Sequence, residues 1–588
     1  MMLVGGSARP YLPAVTAPAA RPRPQARWLP PAAVDPAAIA ALAAELSLPP
    51  VVCELLCRRG VGEVDVARRF LRPRLDHLHA PGQMRDLDAA VERLATAIER
   101  GETVLVHGDY DVDGMCSTAL LTTTLRALGG RIVPFIPRRL EDGYDLTGAG
   151  VRAAVAHGAR VVVTCDCGTR AVAPVAELVA GGIDVIISDH HEPDDAIPEC
   201  LAVLNPKRHD CDYPDKGLAA VGVAFKLALA LTRRMGGNEN VVLRQLDLVA
   251  LATVADIAPL TGENRVLVRY GLKLLNETQN RGLRALARAA GLDGKPLTSG
   301  RVGFMLAPRL NAVGRLGHAL RGVELLLAED DHTANVIARE LEELNRRRQD
   351  IDRATLVEAR AQVAALDLDE TYGLVLAGEG WHPGVIGIVA SRIVEQTGRP
   401  TVLVALENGE GKGSGRSVSA FHLLDALGEC RDLFKRFGGH RAAAGVTIDA
   451  ANVPAFAARF NEVARARLTA DDLVPELRTD LALPIDAATP ELEQLLRHFE
   501  PFGASNAAPL LASRGVRLAE RPRLVGQDGL KLRLETAAGG LEAIGWGLGW
   551  LATELDAGTV VDVAYRLERD DYRGESRLVA KLVDVVRR

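Results

Sequence analysis

Short apolar runs alternate with amphipathic stretches between about residues 100 and 260. Four of these runs are almost free of polar side chains: residues 104–106, 131–136, 161–163 and 185–187. Strands of this composition are buried on both faces of a sheet, whereas a strand with one wet face alternates polar and apolar residues. The stretches between them have helical periodicity, and such alternation is typical of a parallel sheet. The pattern therefore predicts an α/β fold with helices on both faces.

The pattern changes along the rest of the chain. Residues 34–100 and about 320–365 have helical periodicity, and a second α/β unit begins near residue 372. After about residue 470, short strands with Gly and Asp-Gly turns favour an antiparallel barrel. The predicted boundaries are a disordered tail at 1–33, a helical segment at 34–100, the first α/β domain at 101–320, a connecting helix at 321–365, a second α/β domain at 366–469 and the barrel at 470–588.

Composition limits the class of protein. The 588 residues are enough for three or four domains, and 48% hydrophobic with 25% charged residues is typical of globular chains. No apolar run approaches the roughly 20 residues of a membrane span, so we expect no membrane association. The net charge of -6 argues against a uniformly basic surface but allows one basic groove. Eight scattered cysteines without an export signal predict reduced thiols and a cytoplasmic location.

The first buried run ends in three carboxylates, Asp109, Asp111 and Asp113. Because like charges this close repel one another, such a loop is stable only if a cation neutralises it or protons are retained. An EF-hand calcium loop shares this start, but its twelfth position is Leu120 where a bidentate Glu is needed. The motif alone leaves open an acidic turn without any ion.

Two other buried runs and one helix also end in metal-type ligands. Residues 161–163 lead to Asp166, residues 185–187 lead to the sequence Asp189-His190-His191, and a later apolar helix delivers Asp256. Because parallel strands share one carboxyl edge, we expect these groups to converge. Oxygen donors with one or two imidazoles suit Mn²⁺ or Mg²⁺, and the set is large enough for two ions. The chemistry indicates hydrolysis of a phosphoester or phosphoanhydride.

The motifs HGDYDVDG, VTCDCGT, SDHH and VADIAPL resemble those of the DHH phosphoesterase superfamily. Further matches are PRLNAVGRLG at 308–317, LNRRRQ at 344–349, GWHPGVIGIVASRI at 380–393, GSGRS at 413–417 and FGGHRAAAG at 437–445. This order resembles the RecJ family of bacterial single-stranded-DNA exonucleases. The resemblance implies a parallel-sheet DHH domain, linked by a long helix to a second α/β domain, DHHA1, and a C-terminal OB-type barrel.

The resemblance also implies the ligands of the metal centre. The expected ligands are Asp111, Asp113, Asp166, His190 and Asp256, with His107 at the position of an extra ligand in some relatives. His191 would face the substrate phosphate, with Asp111 and Asp166 as the other catalytic residues. A core histidine bonded to backbone is the alternative for His191. Asp109 and Asp189 would orient the ligands from behind.

Substrate contacts are likewise implied by the family motifs. Ser414 and Arg416 would hold a 5′ phosphate in GKGSGRS, a stretch that resembles a phosphate loop without a Walker spacing. The other expected contacts are Arg139 or its rival Arg138, Arg309, Asn311, Gly439 and His440. Asp145 departs from the family pattern, which has glycine there, so the local loop conformation is uncertain. The barrel aromatics Trp546, Trp550, Tyr565 and Tyr572 could stack bases, although half of them fit a core better.

The leading interpretation is a metal-dependent 5′-to-3′ exonuclease that acts on single-stranded DNA and releases 5′-mononucleotides in repair and recombination. One alternative is a phosphodiesterase for short oligonucleotides or cyclic dinucleotides, or a pyrophosphatase, which would not need a barrel. Another is an inactive DHH-type replication scaffold, which would be expected to lose ligand acids. A monomer is expected, with a single-strand-binding protein and a helicase as the protein partners that the resemblance implies.

Overall fold

The computed structural model describes residues 25–139, 141–570 and 576–588. The chain divides into two compact units, one of residues 350–477 with the segment ending at Arg27, the other of residues 28–349 and 478–588. Most of the predicted tail at 1–33 lies outside the described residues, and a short strand, β1, covers Arg27–Leu29. In the described ranges no single helix is long and apolar enough to cross a membrane, although one bent pair, Pro36–Leu46 with Pro50–Arg58, passes that test jointly.

The N-terminal part of the larger unit is a five-stranded parallel sheet. Its strands are β2 Thr103–Gly108, β3 Arg131–Phe135, β4 Val161–Cys165, β5 Asp184–Ser188 and β6 Ala202–Leu204, in the order β3-β2-β4-β5-β6. All neighbouring pairs are parallel, as the sequence predicts. β2, β4 and β5 are buried along almost their whole length because helices cover both faces. The predicted α/β class is confirmed for this domain.

Helices pack on this sheet and extend from it. They are α1 Pro36–Leu46, α2 Pro50–Arg58, α3 Val64–Leu71, α4 Leu87–Glu99, α5 Val112–Ala127, α6 Gly148–Ala156, α7 Val172–Ala180, α8 Ala220–Arg234, α9 Asn240–Leu243, α10 Leu246–Ala255, α11 Gly262–Asn276, α12 Arg281–Ala289, α13 Ser299–Arg301, α14 Ala307–Leu316 and α15 Leu320–Leu326. α5 begins at Val112, within the acidic motif that follows β2. Asp111 caps the helix by accepting bonds from the amides of Asp113 and Gly114.

A 34-residue helix, α16 Asp331–Ala364, spans the division between the two units. It begins about ten residues after the predicted start because α15 and a short turn come first. Its first half packs Ala334, Ile337 and Leu341 into the core of the parallel-sheet domain. Its second half packs Leu356 and Ala359 into a core of the other unit.

The smaller unit is a second α/β domain built on a mixed sheet. Its strands are β7 Leu374–Glu379, β8 Thr401–Glu407, β9 Glu410–Arg416, β10 Phe434–Gly439 and β11 Ala443–Asp449, in the order β10-β11-β9-β8-β7, and its helices are α17 Ile386–Thr397, α18 Leu423–Gly428 and α19 Val453–Arg467. Only β7 and β8 run parallel to each other. The expected α/β character is confirmed.

GKGSGRS is a strand rather than the predicted phosphate loop. It forms most of β9, whose backbone pairs with β8 on one side and β11 on the other. A side chain at Gly413 would lie 2.5 Å from a methyl of Val446, and one at Gly411 would lie 2.6 Å from Val404. The glycines therefore allow close packing on the sheet face, and most of the amides that were expected to cradle an anion are used by the ladder.

The C-terminal sheet contains seven strands and is mixed rather than purely antiparallel. After a short strand, β12 Glu476–Arg478, come β13 Leu481–Ala482, helix α20 Pro490–Leu496, β14 Leu511–Arg517, β15 Arg523–Val525, β16 Gly529–Leu534, β17 Leu541–Gly545, β18 Val560–Asp570 and β19 Arg577–Arg587. The order is β13-β14-β18-β19-β17-β16-β15, with the β13/β14 and β17/β19 pairs parallel.

Five of these strands close into a barrel. Past the end of β14, Ala519 N donates to Arg533 O and Glu535 N donates to Arg517 O, both at 2.9 Å, which joins β14 to β16. The ring of strands is therefore β14-β18-β19-β17-β16 and back to β14. The OB-fold is a five-stranded barrel of this kind. The OB-type prediction is confirmed, whereas its antiparallel description is corrected.

The barrel shares a hydrophobic core with the N-terminal helices. Val52, Leu55 and Leu56 of α2 are buried in one cluster with Leu511, Val563 and other barrel residues. The sequence separated residues 34–100 from the barrel, because contacts between segments more than 400 residues apart leave no local periodicity.

The buried Arg265 on α11 joins three segments of the larger unit. It is 2% exposed, and its guanidinium donates to the carbonyl of Phe70 at 2.9 Å, of Phe499 at 2.9 Å and of Glu500 at 2.8 Å. It also lies 3.9 Å from the centroid of the Phe70 ring. One side chain thus donates to three carbonyls that are not used in strand or helix hydrogen bonding.

We predict that Arg265→Met lowers the free energy of unfolding by about 3 kcal/mol, because the methionine fills the stem volume but removes a charged donor from the Phe70 carbonyl and one of the donors of the Phe499 and Glu500 carbonyls. Urea denaturation measures the change. Arg269→Ala on the same helix is the matched control, since Arg269 is exposed and makes one longer bond of 3.3 Å to Glu500. Equal effects of the two substitutions would contradict this role of Arg265.

Candidate active site

Three aspartates follow directly after neighbouring strands of the parallel sheet, and these strands end in register. The last residues of β2, β4 and β5, namely Gly108, Cys165 and Ser188, pair laterally across the sheet. Asp109, Asp166 and Asp189 each follow directly, and their amides continue the ladder by donating to Cys165, Ser188 and Leu204 at 2.9 to 3.1 Å. The register of the strands therefore produces the predicted convergence of these acids at the carboxyl edge.

Asp111 and Asp113 join this edge from the start of α5. Asp113 lies in the first turn of the helix rather than in the loop, and its two oxygens accept the amides of Ala220 and Val221, both at 2.9 Å. The N-terminus of α8 thus fixes this carboxylate. Gly114 allows the turn, because a side chain there would lie 2.4 Å from the carbonyl oxygen of Asp109.

His190 connects the sheet acids to α10. Its Nε2 lies 3.2 Å from Asp166 Oδ1 and 3.7 Å from Oδ2 of Asp256, the residue that ends α10. Burial lowers the pKa of His190, which favours the neutral imidazole that binds metals. Asp166 takes a positive φ of 64°, so a strained backbone presents this carboxylate to the cluster.

The carboxyl groups of the cluster resist ionisation when no cation is present. Burial and the charge of Asp256 raise the pKa of Asp113 to about 7, and burial and the charge of Asp111 raise that of Asp256 to about 7. Burial and the charge of Asp111 raise the pKa of Asp109 and of Asp166 well above the usual value. Among the described residues, Oδ1 of Asp109 and Oδ1 of Asp166 are buried without a hydrogen-bond donor.

These observations fit a divalent-metal site. Three groups have ligand atoms within 4.8 Å of one another: Asp109, Asp111 and Asp166; Asp113, His190 and Asp256; and Asp166, His190 and His191. Shared members join the groups into one cluster, which contains all five principal ligands that the sequence predicts. Carboxylate oxygens with an imidazole suit Mn²⁺ or Mg²⁺, and the acceptors that lack donors are those a cation would satisfy. Asp109, expected only to orient ligands, also offers an oxygen to the cluster.

His107 belongs to none of these groups. It is fully buried on β2, burial lowers its pKa to about 4, and its Nδ1 lies 3.5 Å from the Cys167 sulfur. Its ring packs 5.3 Å from that of Phe135. Its Nε2 faces Gly150 of α6, where an added Cβ would lie 2.9 Å away.

Asp189 and His191 form a hydrogen-bonded pair beside the cluster. Asp189 Oδ1 accepts from Nδ1 of His191 at 2.8 Å, while its Oδ2 accepts the Thr169 amide at 3.0 Å. Burial would raise the pKa of Asp189, but the bond to His191 holds it below the usual range. Burial would lower the pKa of His191, but Asp189 raises it to about 9. The alternative of a core histidine bonded to backbone does not fit, since Nε2 meets the hydroxyl of Tyr144 at 3.1 Å.

A cleft of about 320 Å³ opens over this edge. Its lining comprises Asp109, Tyr110, Asp111, Val112, Asp113, Arg139, Tyr144, His191, Ala255, Asp256, Asn311 and Arg315. Of the two rival arginines, Arg139 lies in the cleft with its guanidinium 4.7 Å from the Tyr110 ring, whereas Arg138 pairs with Glu141 at 2.7 Å outside it. Arg309 is also outside, bonded to Glu342 at 2.6 Å.

Sequence reasoning missed five lining residues, of which Val112 and Ala255 are apolar. Tyr110 lies within the motif HGDYDVDG, Tyr144 precedes the Asp145 that departs from the family pattern, and Arg315 lies in the same α14 motif as Asn311. The spacing of four between Asn311 and Arg315 places both on one face of a helix and could have identified the arginine.

Ser414 and Arg416 lie together on β9 of the smaller unit. Arg416 donates to Ser414 Oγ at 3.2 Å, and both side chains face Gly387 in the first turn of α17. A Cβ at Gly387 would lie 2.8 Å from Ser414 Oγ and 2.9 Å from Arg416 Nη2. A hydroxyl, a guanidinium and a 12-residue helix N-terminus thus surround one small space, which is the chemistry of an anion site.

Gly439 and His440 belong to the hairpin next to this pair. Gly439 takes a φ of 146°, and a Cβ there would lie 2.5 Å from Ala443 O. His440 is exposed and its amide donates to Ala443, the residue that pairs with Arg416 across β11 and β9. These two residues lie at the turn between β10 and β11, next to the strand pair that carries Arg416.

The barrel aromatics fall into two groups. Trp546 and Trp550 are 60% and 45% exposed, whereas Tyr565 is fully buried with its hydroxyl 3.0 Å from that of Ser513. Tyr572 lies outside the described residues. Two of the four candidates are therefore available for stacking.

Comparison with known proteins gives three family matches: the DHH family N-terminal domain at residues 103–253, the DHHA1 domain at 367–466 and the RecJ OB domain at 479–584. The chain is 35% identical over 542 residues to the single-stranded-DNA-specific exonuclease RecJ of Bacillus subtilis, covering 92% of this chain and 68% of that protein. It is 38% identical to the Salmonella typhimurium protein of the same name, covering 92% and 96%. The crystal structure of Thermus thermophilus RecJ with Mn²⁺ matches with a TM-score of 0.82 at 34% identity, covering 95% of this chain and 79% of that one.

The parallel sheet with its acid and histidine cluster, followed by a DHHA1 domain, defines a phosphoesterase of the DHH class. Within this class, the match to a RecJ OB domain indicates the RecJ family. The chain belongs to the RecJ family, since its identity to these relatives extends over about nine-tenths of its length. The resemblance stated from the motifs is confirmed.

We predict that Mn²⁺ raises the Tm more at pH 8 than at pH 5. Between about pH 4 and 7 the native carboxyls Asp113 and Asp256 retain protons that the unfolded chain has lost, so the metal-free protein loses stability as the pH rises through this window. A cation removes that penalty at high pH, whereas protons compete with it at low pH.

Thermal scans with and without Mn²⁺ measure the effect. Asp166→Asn should raise the Tm of the metal-free protein, because one repelling charge is gone, and should diminish the rise with Mn²⁺. Asp293→Asn, in an exposed loop, is the control. A Tm rise that is equal at both pH values, or unchanged in Asp166→Asn, would argue against the cluster as the metal site.

Proposed function

We propose that this chain is a metal-dependent exonuclease that degrades single-stranded DNA from the 5′ end and releases 5′-mononucleotides. The observation that carries the proposal is the cluster of carboxylates and histidines in a chain of the RecJ family, whose named relatives are single-stranded-DNA-specific exonucleases. Mn²⁺ or Mg²⁺, the metals named in the Thermus thermophilus structures, would be held by Asp111, Asp113, Asp166, His190 and Asp256, with Asp109 as a further oxygen donor.

The residues of the cleft divide the work of hydrolysis. When bound, a pair of divalent cations activates the attacking water and neutralises charge on the phosphoryl group. His191, with its pKa raised to about 9, places a positive charge where it would stabilise the phosphate oxygens. Arg139, Asn311 and Arg315 offer further donors in the lining of the same cleft. The P–O3′ bond of the terminal nucleotide breaks and the water oxygen joins phosphorus, which releases a 5′-mononucleotide.

The polarity of the reaction rests on the anion space of the smaller unit. Ser414, Arg416 and the N-terminus of α17 at Gly387 would bind a terminal 5′ phosphate. Cleavage of the P–O3′ bond leaves a phosphate on the shortened strand. The same contacts are therefore available to the new end after every cycle, which supports repeated removal from the 5′ side.

The barrel is proposed to bind the strand beyond the cleaved end. Exposed Trp546 and Trp550 offer faces on which bases can stack, a contact worth about 1 to 3 kcal/mol per base. A phosphodiesterase for dinucleotides would gain nothing from such a surface, and the filled ligand positions argue against an inactive scaffold.

We further propose a cytoplasmic monomer with a single-strand-binding protein and a helicase as partners, as the family resemblance implies. The absence of disulfides supports the location: all eight cysteines are free, as expected in a reducing compartment. Pull-down with the full chain tests whether these partners bind.

We predict that Asp166→Ala lowers the rate on end-labelled single strands by at least roughly 10³-fold, because cation binding and charge neutralisation fail together. EDTA should abolish the activity of the unaltered chain, and Mn²⁺ or Mg²⁺ should restore it. Asp293→Ala is the control, and DNA binding by Asp166→Ala should persist. Near-normal hydrolysis by a folded Asp166→Ala protein would reject the proposed chemistry.

We predict that Arg416→Ala lowers kcat/KM by about 10 to 100-fold on strands with a 5′ phosphate and by less on strands with a 5′ hydroxyl. The reason is loss of one charged hydrogen-bonded contact to the terminal phosphate. Arg459→Ala provides the control, since Arg459 forms an exposed ion pair with Asp432 in the same unit. An equal loss on both substrates would assign Arg416 to general backbone binding.

A further inference from the structure

The loop that carries Tyr144 is tied to the loop that carries Asp166. Asp145 Oδ1 accepts the Gly168 amide at 2.6 Å and the Leu146 amide at 2.7 Å. Gly143 and Asp145, on either side of Tyr144, both take positive φ angles, 90° and 74°. The tyrosine thus stands at the apex of a tight turn whose one described bond to the sheet loop passes through the Asp145 carboxylate.

The same sheet loop holds the other side of the catalytic histidine. Gly168 and its neighbour Thr169 donate their amides to two different carboxylates, Asp145 and Asp189. Asp189 bonds Nδ1 of His191 at 2.8 Å, while the hydroxyl of Tyr144 meets its Nε2 at 3.1 Å. The contacts form a closed ring that begins and ends on adjacent peptide groups, so the imidazole is held at both of its nitrogens.

This ring restrains a side chain that would otherwise be mobile. Tyr144 is 48% exposed, and its ring has edge contacts with Tyr110 and His191 at centroid distances of 6.0 and 6.1 Å. Such contacts hold an exposed ring weakly unless its backbone is fixed. The Asp145 bond supplies that restraint, at a position where the family pattern has a glycine that could not supply it.

We propose that Asp145 is a positioning residue, which clamps the Tyr144 loop to Gly168 so that Tyr144 holds the His191 ring in the orientation required for transition-state contact with the phosphate. The catalytic part of this inference rests on the proposed function, whereas the clamp itself does not. The effect should therefore fall on kcat more than on KM, because binding of the strand uses other contacts.

Three substitutions separate a clamp from a turn residue. Asp145→Gly keeps the positive φ but removes the acceptor, and Asp145→Asn keeps both an acceptor oxygen and a residue that tolerates this φ. We expect Asp145→Gly to lower kcat about tenfold with KM changed less than about threefold, and Asp145→Asn to restore most of the rate. Tyr144→Phe should match Asp145→Gly, and the double variant should lose no more than either single one. Glu141→Ala, in the same loop with an exposed ion pair, should leave the rate unchanged.

Hydrogen exchange of the metal-free chain tests the clamp without activity. Peptides covering residues 141–148 and 166–170 should exchange faster in Asp145→Gly and as in the unaltered chain in Asp145→Asn. Unchanged exchange in Asp145→Gly would overturn the clamp, and full kcat despite faster exchange would overturn the positioning role. If the unaltered chain lacks nuclease activity, the function proposed above fails, and the exchange measurement still decides whether the clamp exists.

Discussion

Mutual repulsion among buried carboxylates is the constraint on which the arrangement of the larger unit depends. Asp109, Asp113 and Asp166 are nearly inaccessible to water, and the pKa of each is raised by burial and by neighbouring acids. Lys207 acts on Asp256 and Arg139 acts on Asp109, but burial and the neighbouring acids outweigh these cations and keep both pKa values raised. The fold fixes Asp113 with helix amides and leaves an oxygen of Asp109 and of Asp166 without a donor among the described residues. The repulsion lowers the stability of the metal-free state. A bound cation removes the repulsion, so the same free energy strengthens cation binding.

The sequence predicted the site where the backbone alone determines position. Asp109, Asp166 and Asp189 each follow a buried strand, so the parallel register brings them to one level without any need to know side-chain packing. His107 lies inside β2, where side chains alternate between the two faces of the sheet, whereas a residue after the end of a strand is free to turn toward the edge. Tyr144 and Arg315 depend on a loop and a distant helix, whose positions no local pattern encodes.

Glycine-rich stretches were the least predictable elements. GKGSGRS has the composition of an anion-binding loop, yet its glycines remove side chains from a sheet face on which Val402, Val404 and Val446 pack. The anion space is present nevertheless, because Ser414 and Arg416 meet the helix start at Gly387, a glycine that lies some 25 residues earlier in the chain. Composition therefore predicts an anion site, and the donors proposed for it come from side chains and a separate helix rather than from a glycine loop.

Long-range packing also decides how the barrel can be studied. Because α2 buries Val52, Leu55 and Leu56 against barrel strands, deletion of residues 470–588 would expose an apolar face of the remaining chain. Arg265 would at the same time lose the carbonyls of Phe499 and Glu500 and become a buried cation with few acceptors. Loss of activity after such a deletion would therefore reflect lower stability of the protein rather than weaker DNA binding. Substitution of exposed Trp546 and Trp550 leaves this core intact, so it separates strand binding by the barrel from its structural role.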